Sequence, residues 1–300
     1  MENENTAINE NEIINQEKLI GAIDKILIKK SIAKRVSDVQ QLKSPVGIIT
    51  GAQWDKATGK LTIAKEDVKA ETIKIRTEFT IEALQDLQSI YGEGFYDVLA
   101  HYISDEMVYK IDEEFLTMVK DRASTKDTLT FNGADFNNAL WSVGQSISIT
   151  VNKGLADLPI SDNRSQFGWA IVSSNVASLL AGTLNDNGDE GNGEDNPSYL
   201  GRIGGVDYYI DYTHQNNGLD SVTFGIKGNG FSKGSTIYSP YTKQWIDTID
   251  AETGESVFFL LDRTAMSINP LDKKYYGGGT GTSAFLGKFN VDISDLQPFN

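Results

Sequence analysis

Side chains with spacings that suggest chemistry are few, and their surroundings do not support it. Gly230-Phe231-Ser232-Lys233-Gly234 matches the Gly-x-Ser-x-Gly pattern of a nucleophilic serine. Such a serine needs a strand–turn–helix, with an acid and a histidine later in the chain. Here a strand-like segment follows, and no histidine lies beyond His214. The only other histidine, His101, falls inside a helical pattern. A glycine-rich turn is the better reading. The tract from Asn185 to Asn196 offers Asp186, Asp189, Glu190, Glu194 and Asp195 as oxygen donors of the type calcium takes. Their spacing is not that of a helix–loop–helix calcium site, so a solvated loop is expected and cation binding is left open. Gly279 to Ala284 reads Gly-x-Gly-x-x-Ala but lacks the strand before it and the helix after it that would cradle a phosphate. The adjacent carboxylates Asp105 and Glu106, and Glu113 and Glu114, sit in a helical pattern where a solvated face is the default. The chain has no cysteine, which excludes disulfides, thiolate metal sites and thiol nucleophiles. No catalytic residue, metal site or cofactor is therefore expected, and the chain does not read as an enzyme.

The composition narrows the partners. The 300 residues carry 27 Lys and Arg against 42 Asp and Glu, a net charge of −15. Nucleic-acid readers need cations for phosphate, so this balance argues against one. The apolar run through Phe258–Leu261 is far too short to span a bilayer, and no membrane partner is expected. The first residues, MENENTAINENEIINQEK, lack a basic stretch followed by an apolar one, so no signal peptide is expected.

The elements show a distinct layout. Residues 1–17 contain five Glu and no Lys or Arg, whereas 18–43 contain seven Lys and Arg against Asp24 and Asp38. Leu19, Ile20, Ile23, Ile26, Leu27 and Lys30 recur at helical spacing. This amphipathic segment is either an arm that docks on a neighbour or a plain surface helix with a loose leader. From Pro45 the chain runs through Val46, Ile48 and Ile49 into Thr-Gly-Ala-Gln-Trp-Asp-Lys-Ala-Thr-Gly-Lys and then Leu-Thr-Ile. Gly51 and Gly59 are turn residues, and the pattern predicts a two-stranded excursion with a polar tip. A long hairpin of this kind needs a partner surface, with Trp54 as its anchor unless that ring packs under its own loop. Thr80 is a helix N-cap, and a longer helical stripe follows from Phe95 through Ile103, Met107, Ile111 and Phe115 to Val119, ending near Arg122. At 1.5 Å per residue that helix is about 40 Å long, which suits a strut. Leu140, Val143, Ile147, Val151 and Leu155 give another stripe, although Ser-Ile-Ser-Ile-Thr-Val within it also alternates like a strand. Trp169 to Ser173 reads as a strand entering a helix that Gly182 closes, and short strands dominate after Tyr199. Helices early and strands late make the fold class α+β.

Glu78, Phe79, Thr80, Ile81, Glu82, Gln85, Asp86 and Leu87, followed by Glu106, Met107, Ile111, Asp112 and Glu113 on the long helix, resemble the major capsid proteins of contractile-tailed phages. Three further stretches agree in order: WAIVSSNVASLLAG, then GVDYYIDY leading to GIKG and STIYSPY, then DAETGESVFFLLDRTAMSINP. The resemblance touches most of residues 60–270. It implies a Hong Kong 97-type fold with residues 1–44 as N-terminal arm and 45–75 as extended loop. Residues 76–135 and 262–300 would form a peripheral domain with the spine helix at 94–122, and 136–261 an axial domain. The final strands would return to the peripheral sheet. Ile8-Asn9-Glu10 is similar to the site that prohead proteases cut, and removal of the arm is left open.

The function implied is self-assembly into hexamers and pentamers that close an icosahedral head around double-stranded DNA, in a virion assembled in the host cytoplasm. Assembly contacts are expected at Trp54, Asp55 and Lys56 on the hairpin tip and at Lys29, Lys30 and Arg35 on the arm. The partners implied are other copies of the chain, with portal, scaffold, prohead protease and decoration proteins as further candidates. DNA would be enclosed without sequence-specific binding. An encapsulin-like nanocompartment shell, and less readily a soluble α+β enzyme, are the alternatives.

Overall fold

The computed structural model describes residues 18–55, 60–92, 95–131, 140–159, 166–181, 183, 196–213, 220–228, 234–250, 252–275 and 281–292. The arm region begins with α1 (residues 18–30), whose Leu19, Ile23 and Leu27 are buried as the spacing predicts. A break at Ser31 separates it from α2 (Ile32–Val36), and β1 (Asp38–Val39) follows. β2 (Val46–Asp55) and β3 (Lys60–Lys69) pair in antiparallel register from Val46 opposite Lys69 to Asp55 opposite Lys60. They form a sheet of their own, the expected excursion.

A single residue, Ala70, separates β3 from β4 (Glu71–Phe79). α3 (Ile81–Tyr91) then starts where expected, with the Thr80 hydroxyl accepting from the Ala83 N–H at 3.2 Å. α4 (Phe95–Arg122) is the long strut, 28 residues in one helix. Its stripe Leu99, Ile103, Met107, Ile111, Phe115 and Val119 is buried in one core with α1 and with both larger sheets. After α4 come β5 (Ala123–Thr130), α5 (Leu140–Ala156), β6 (Gln166–Val172), α6 (Ser174–Leu180), β7 (Tyr199–Ile203), β8 (Val206–Ile210) and β9 (Asp220–Gly228). The chain closes with β10 (Thr236–Ile249), β11 (Ser256–Ile268), α7 (Pro270–Tyr275) and β12 (Ser283–Asp292). The 140–156 segment is helical: Val143, Ile147 and Val151 are buried together, so the 3.6-residue stripe wins over the local alternation.

The larger sheets have the orders β1-β10-β11-β4 and β5-β12-β9-β6-β8-β7. The four-stranded sheet departs from the sequence reading. Short strands are expected after Tyr199, yet β10 runs on through Pro240 to Ile249, with the register shifting between Pro240 and Thr242. A bulge lets a strand carry a proline without losing its ladder. Likewise Glu-Ser-Val-Phe-Phe-Leu-Leu-Asp and Thr-Ala-Met-Ser-Ile-Asn-Pro lie largely in one strand, β11, so the division expected between 261 and 262 falls inside it. The final strand does not join the sheet that holds β4. β12 pairs with β9 and β5 in the six-stranded sheet, where Phe285, Phe289 and Val291 fill the second core. Gly287 permits this placement: a Cβ there would run into the Phe224 ring.

Candidate assembly interface

The β2–β3 hairpin has two unlike faces. One face lies on the body. Ile49 and Ala64 are buried, and a Cβ on Gly51 would collide with the Asn269 side chain ahead of α7, so only glycine fits that approach. The base is tied down by the Ala70 N–H donating to Pro45 O at 2.8 Å. The Gln40 amide also brackets Thr50, donating to its carbonyl at 2.7 Å and accepting from its N–H at 3.0 Å. Lys273 of α7 reaches Glu66 at 3.4 Å. The register puts Val46, Ile48, Leu61 and Ile63 on the opposite face, and they are between 46% and 60% exposed. Four large aliphatic side chains on one open face of a two-stranded sheet form an incomplete core.

The arm joint is the reverse case. Asp112 is fully buried in the middle of α4 and receives four hydrogen bonds. They come from Ser31 Oγ at 2.7 Å, the Ile32 N–H at 2.9 Å, the Ala33 N–H at 3.0 Å and the Tyr212 hydroxyl at 3.0 Å. One carboxylate thus binds the start of α2 to the strut and to the segment after β8. Burial pushes its pKa up to about 6, while the two backbone N–H groups and the hydroxyls of Ser31 and Tyr212 pull the other way. Beside it, Lys243 of β10 pairs with Asp24 of α1 and lies 3.4 Å from Asp262 of β11. Lys34 shares Asp24 at 3.8 Å, and its pKa falls to about 8, chiefly through burial and then through Lys243. Asp38 accepts from the N–H groups of Gly228 at 3.1 Å and Gly234 at 2.7 Å, which fixes β1 against the end of β9.

A family model for the major capsid protein Gp23 matches residues 52–291. The chain belongs to that family. A curated relative, the major capsid protein of the Vibrio phage KVP40, is 23% identical over 266 residues. That alignment takes in 79% of this chain and 51% of the relative, so the Gp23-family chain spans about half the length of the relative it matches. Among solved structures, the virus-like particle from Pyrococcus furiosus superposes with a TM-score of 0.53 at 10% identity, covering 92% of this chain and 97% of that one. The capsid of an empty GTA particle gives 0.51 at 11% identity over 86% and 88% of the two chains. These likenesses show the fold, and it is the α+β, Hong Kong 97-type architecture expected.

Within this Gp23-family chain the expected contact residues fall into two separate groups. Trp54 and Asp55 lie at the distal end of β2, opposite Leu61 and Lys60 in register, and Lys56 lies outside the described residues. Lys30 and Arg35 are engaged inside the chain: Lys30 pairs with Asp105 of α4 at 2.6 Å, and Arg35 Nε donates to Lys29 O at 2.7 Å. Lys29 is exposed. Of the motifs considered for chemistry, residues 230–233, 185–195 and 279–280 lie outside the described residues, as does Ile8-Asn9-Glu10. His101 is exposed on α4. Glu113 and Glu114 line a groove of about 630 Å³ between α4, the end of β3 and β11, where burial, then Glu71 and Glu113, raise the pKa of Glu114. No described helix is long and apolar enough to cross a membrane. The sequence reading did not assign Asp112 its structural role, although a signal was present. Asp112 is four residues after Val108 and three before Phe115, an acid within a buried helical stripe.

Proposed function

We propose that this chain builds the icosahedral head of a tailed phage by packing against copies of itself as hexamers and pentamers. The observation that carries the reading is the Gp23 match over residues 52–291, on a chain whose hairpin leaves one aliphatic face uncovered. A second copy laid over Val46, Ile48, Leu61 and Ile63 would complete that core, and the same contact repeated around a ring closes it. Residues 45–75 then act as the extended loop and 1–44 as the arm, with Trp54, Asp55, Lys56 and Lys29 as contacts between copies. Lys30 and Arg35 serve the same joint indirectly, by holding the arm in place. The strand pairings favour a peripheral body made of α4 with the four-stranded sheet and an axial body made of the six-stranded sheet with α5 and α6.

A shell protein needs surfaces, not a reactive centre, so no enzymatic step is assigned. The charge of −15 leaves DNA confined and not gripped. Scaffold, portal, prohead protease and decoration proteins are the further partners of a head assembled in the host cytoplasm. A nanocompartment shell shares the fold; the Gp23 match favours the phage head, and a neighbouring terminase gene in place of a cargo gene would separate the two. Electron microscopy of the overexpressed chain tests the proposal. Closed shells, tubes or curved sheets are expected. A small oligomer that stays unchanged with concentration, salt and crowding agents would overturn it.

A further inference from the structure

The four-stranded sheet is covered on one side. α1 and α4 pack on Ile73, Ile75, Trp245, Phe258 and Leu260. Alternate residues point the other way: Lys74 and Arg76 from β4, Phe259, Leu261 and Arg263 from β11, and Ile246 from β10. Phe259 and Leu261 are half-buried, and Ile246 is exposed. Lys74 Nζ sits 4.1 Å from the centre of the Phe259 ring, and the Arg76 guanidinium sits 6.0 Å from it. Arg263 stacks on Tyr241 at 5.4 Å. Arg76 is neutralised by Glu78 and by Asp250 at 3.5 Å. Lys74 and Arg263 have no carboxylate partner among the described residues, and the buried Arg263 Nε has no hydrogen-bond partner there. On a chain with an excess of 15 negative charges, this face presents two uncompensated cations around an apolar ring.

Such a face suits an acidic segment with aliphatic residues between its charges, because carboxylates satisfy Lys and Arg while the aliphatic residues cover the ring. The sequence supplies one. Residues 1–17 carry Glu2, Glu4, Glu10, Glu12 and Glu17, no Lys or Arg, and Ile8, Ile13 and Ile14. This segment enters α1, which lies on the covered side of the sheet, so reaching Lys74 of its own copy would mean rounding the sheet. At about 3.3 Å per residue it can extend about 55 Å, well beyond the start of α1.

We propose that residues 1–17 of one copy dock on the Lys74–Phe259–Arg263 face of a second copy. The inference rests on the assembly reading, and its own failure is separable: particles that form without this contact sink the inference alone. The test uses assembled full-length chain, made from a mixture of unlabelled and 15N-labelled protein. A carbodiimide joins carboxylates to amines in contact, and mass spectrometry reads the linked peptides. Links from Glu10, Glu12 or Glu17 to Lys74 are expected, with light–heavy pairs among them. Replacing Arg263→Gln should reduce these links by about tenfold, the effect of removing one charge-assisted bond. The double variant Lys74→Glu, Arg263→Glu should assemble poorly, and adding Glu10→Lys and Glu12→Lys should restore assembly. Links only within one copy, links from residues 1–17 to other lysines with Lys74 unlinked, or normal particles from the double variant would each overturn the proposal.

Discussion

The arm joint and the hairpin solve opposite problems. At the joint, a buried charge is surrounded by donors from two distant parts of the chain, residues 31–33 and Tyr212, and the arrangement is complete within one copy. At the hairpin, one face is fitted closely to α7 while the other leaves aliphatic side chains in water. The first holds a single polypeptide together; under the proposed assembly, the second would hold polypeptides to one another. Substitutions at the two places should therefore separate folding from assembly.

The largest effect is expected at the joint. Asp112→Ala would strand the Ser31 and Tyr212 hydroxyls and two backbone N–H groups, costing about 3 kcal/mol or more in urea unfolding. A midpoint like that of the unmodified chain would show that water replaces the carboxylate and that the joint is not closed. Next, Ile48→Asp with Ile63→Asp should abolish particles in light scattering while changing stability of the single chain by no more than about 0.5 kcal/mol. Loss of folding instead would mean that the exposed face supports the monomer. Trp54→Ala should weaken the joint between copies by about 1–2 kcal/mol, seen as a raised critical concentration for assembly. An unchanged critical concentration would remove Trp54 from the interface.

A smaller effect follows from the titration of Asp112. Its pKa in the fold, about 6, is above its ordinary 3.8, so the fold favours the protonated acid. The stabilisation this gives is fully present below about pH 3.8 and is lost as pH rises through about 6. Compared with Asp112→Asn, the unmodified chain should gain on the order of 1 kcal/mol between pH 7 and pH 5. Parallel pH profiles would rule out Asp112 as the titrating group. The smallest change is expected for Lys30→Ala. The Lys30–Asp105 pair has an exposed acid, so its loss should cost about 0.2–1 kcal/mol and leave the arm in place.

Much of this layout was legible in the sequence where a single physical signal dominates. The strut followed from apolar residues at helical steps, and the hairpin followed from two apolar runs around a polar, glycine-containing tip. Strand continuity was harder to read. Pro240 is a breaker by its local chemistry, and only the bulge and the ladder with β11 show that β10 continues. The place of β12 was not legible either, because its neighbours β5 and β9 lie far away in sequence and alternation cannot choose between two sheets. At the interface, the sequence reading placed Lys30 and Arg35 among the contacts between copies. Their partners, Asp105 and the Lys29 carbonyl, are set by how α1 and α2 lie on α4. Asp112 shows the same limit: its donors at 31–33 and 212 are far away in the chain and meet only in the fold.

The position of β12 also governs timing. A nascent chain that has not yet reached Ser283 holds β5 and β9 with no strand between them, each with an open edge. The larger sheet can knit together only after β12 has been made. Under the proposed assembly, surfaces that depend on that sheet would be delayed until β12 has left the ribosome, so subunits lacking it would not seed a lattice.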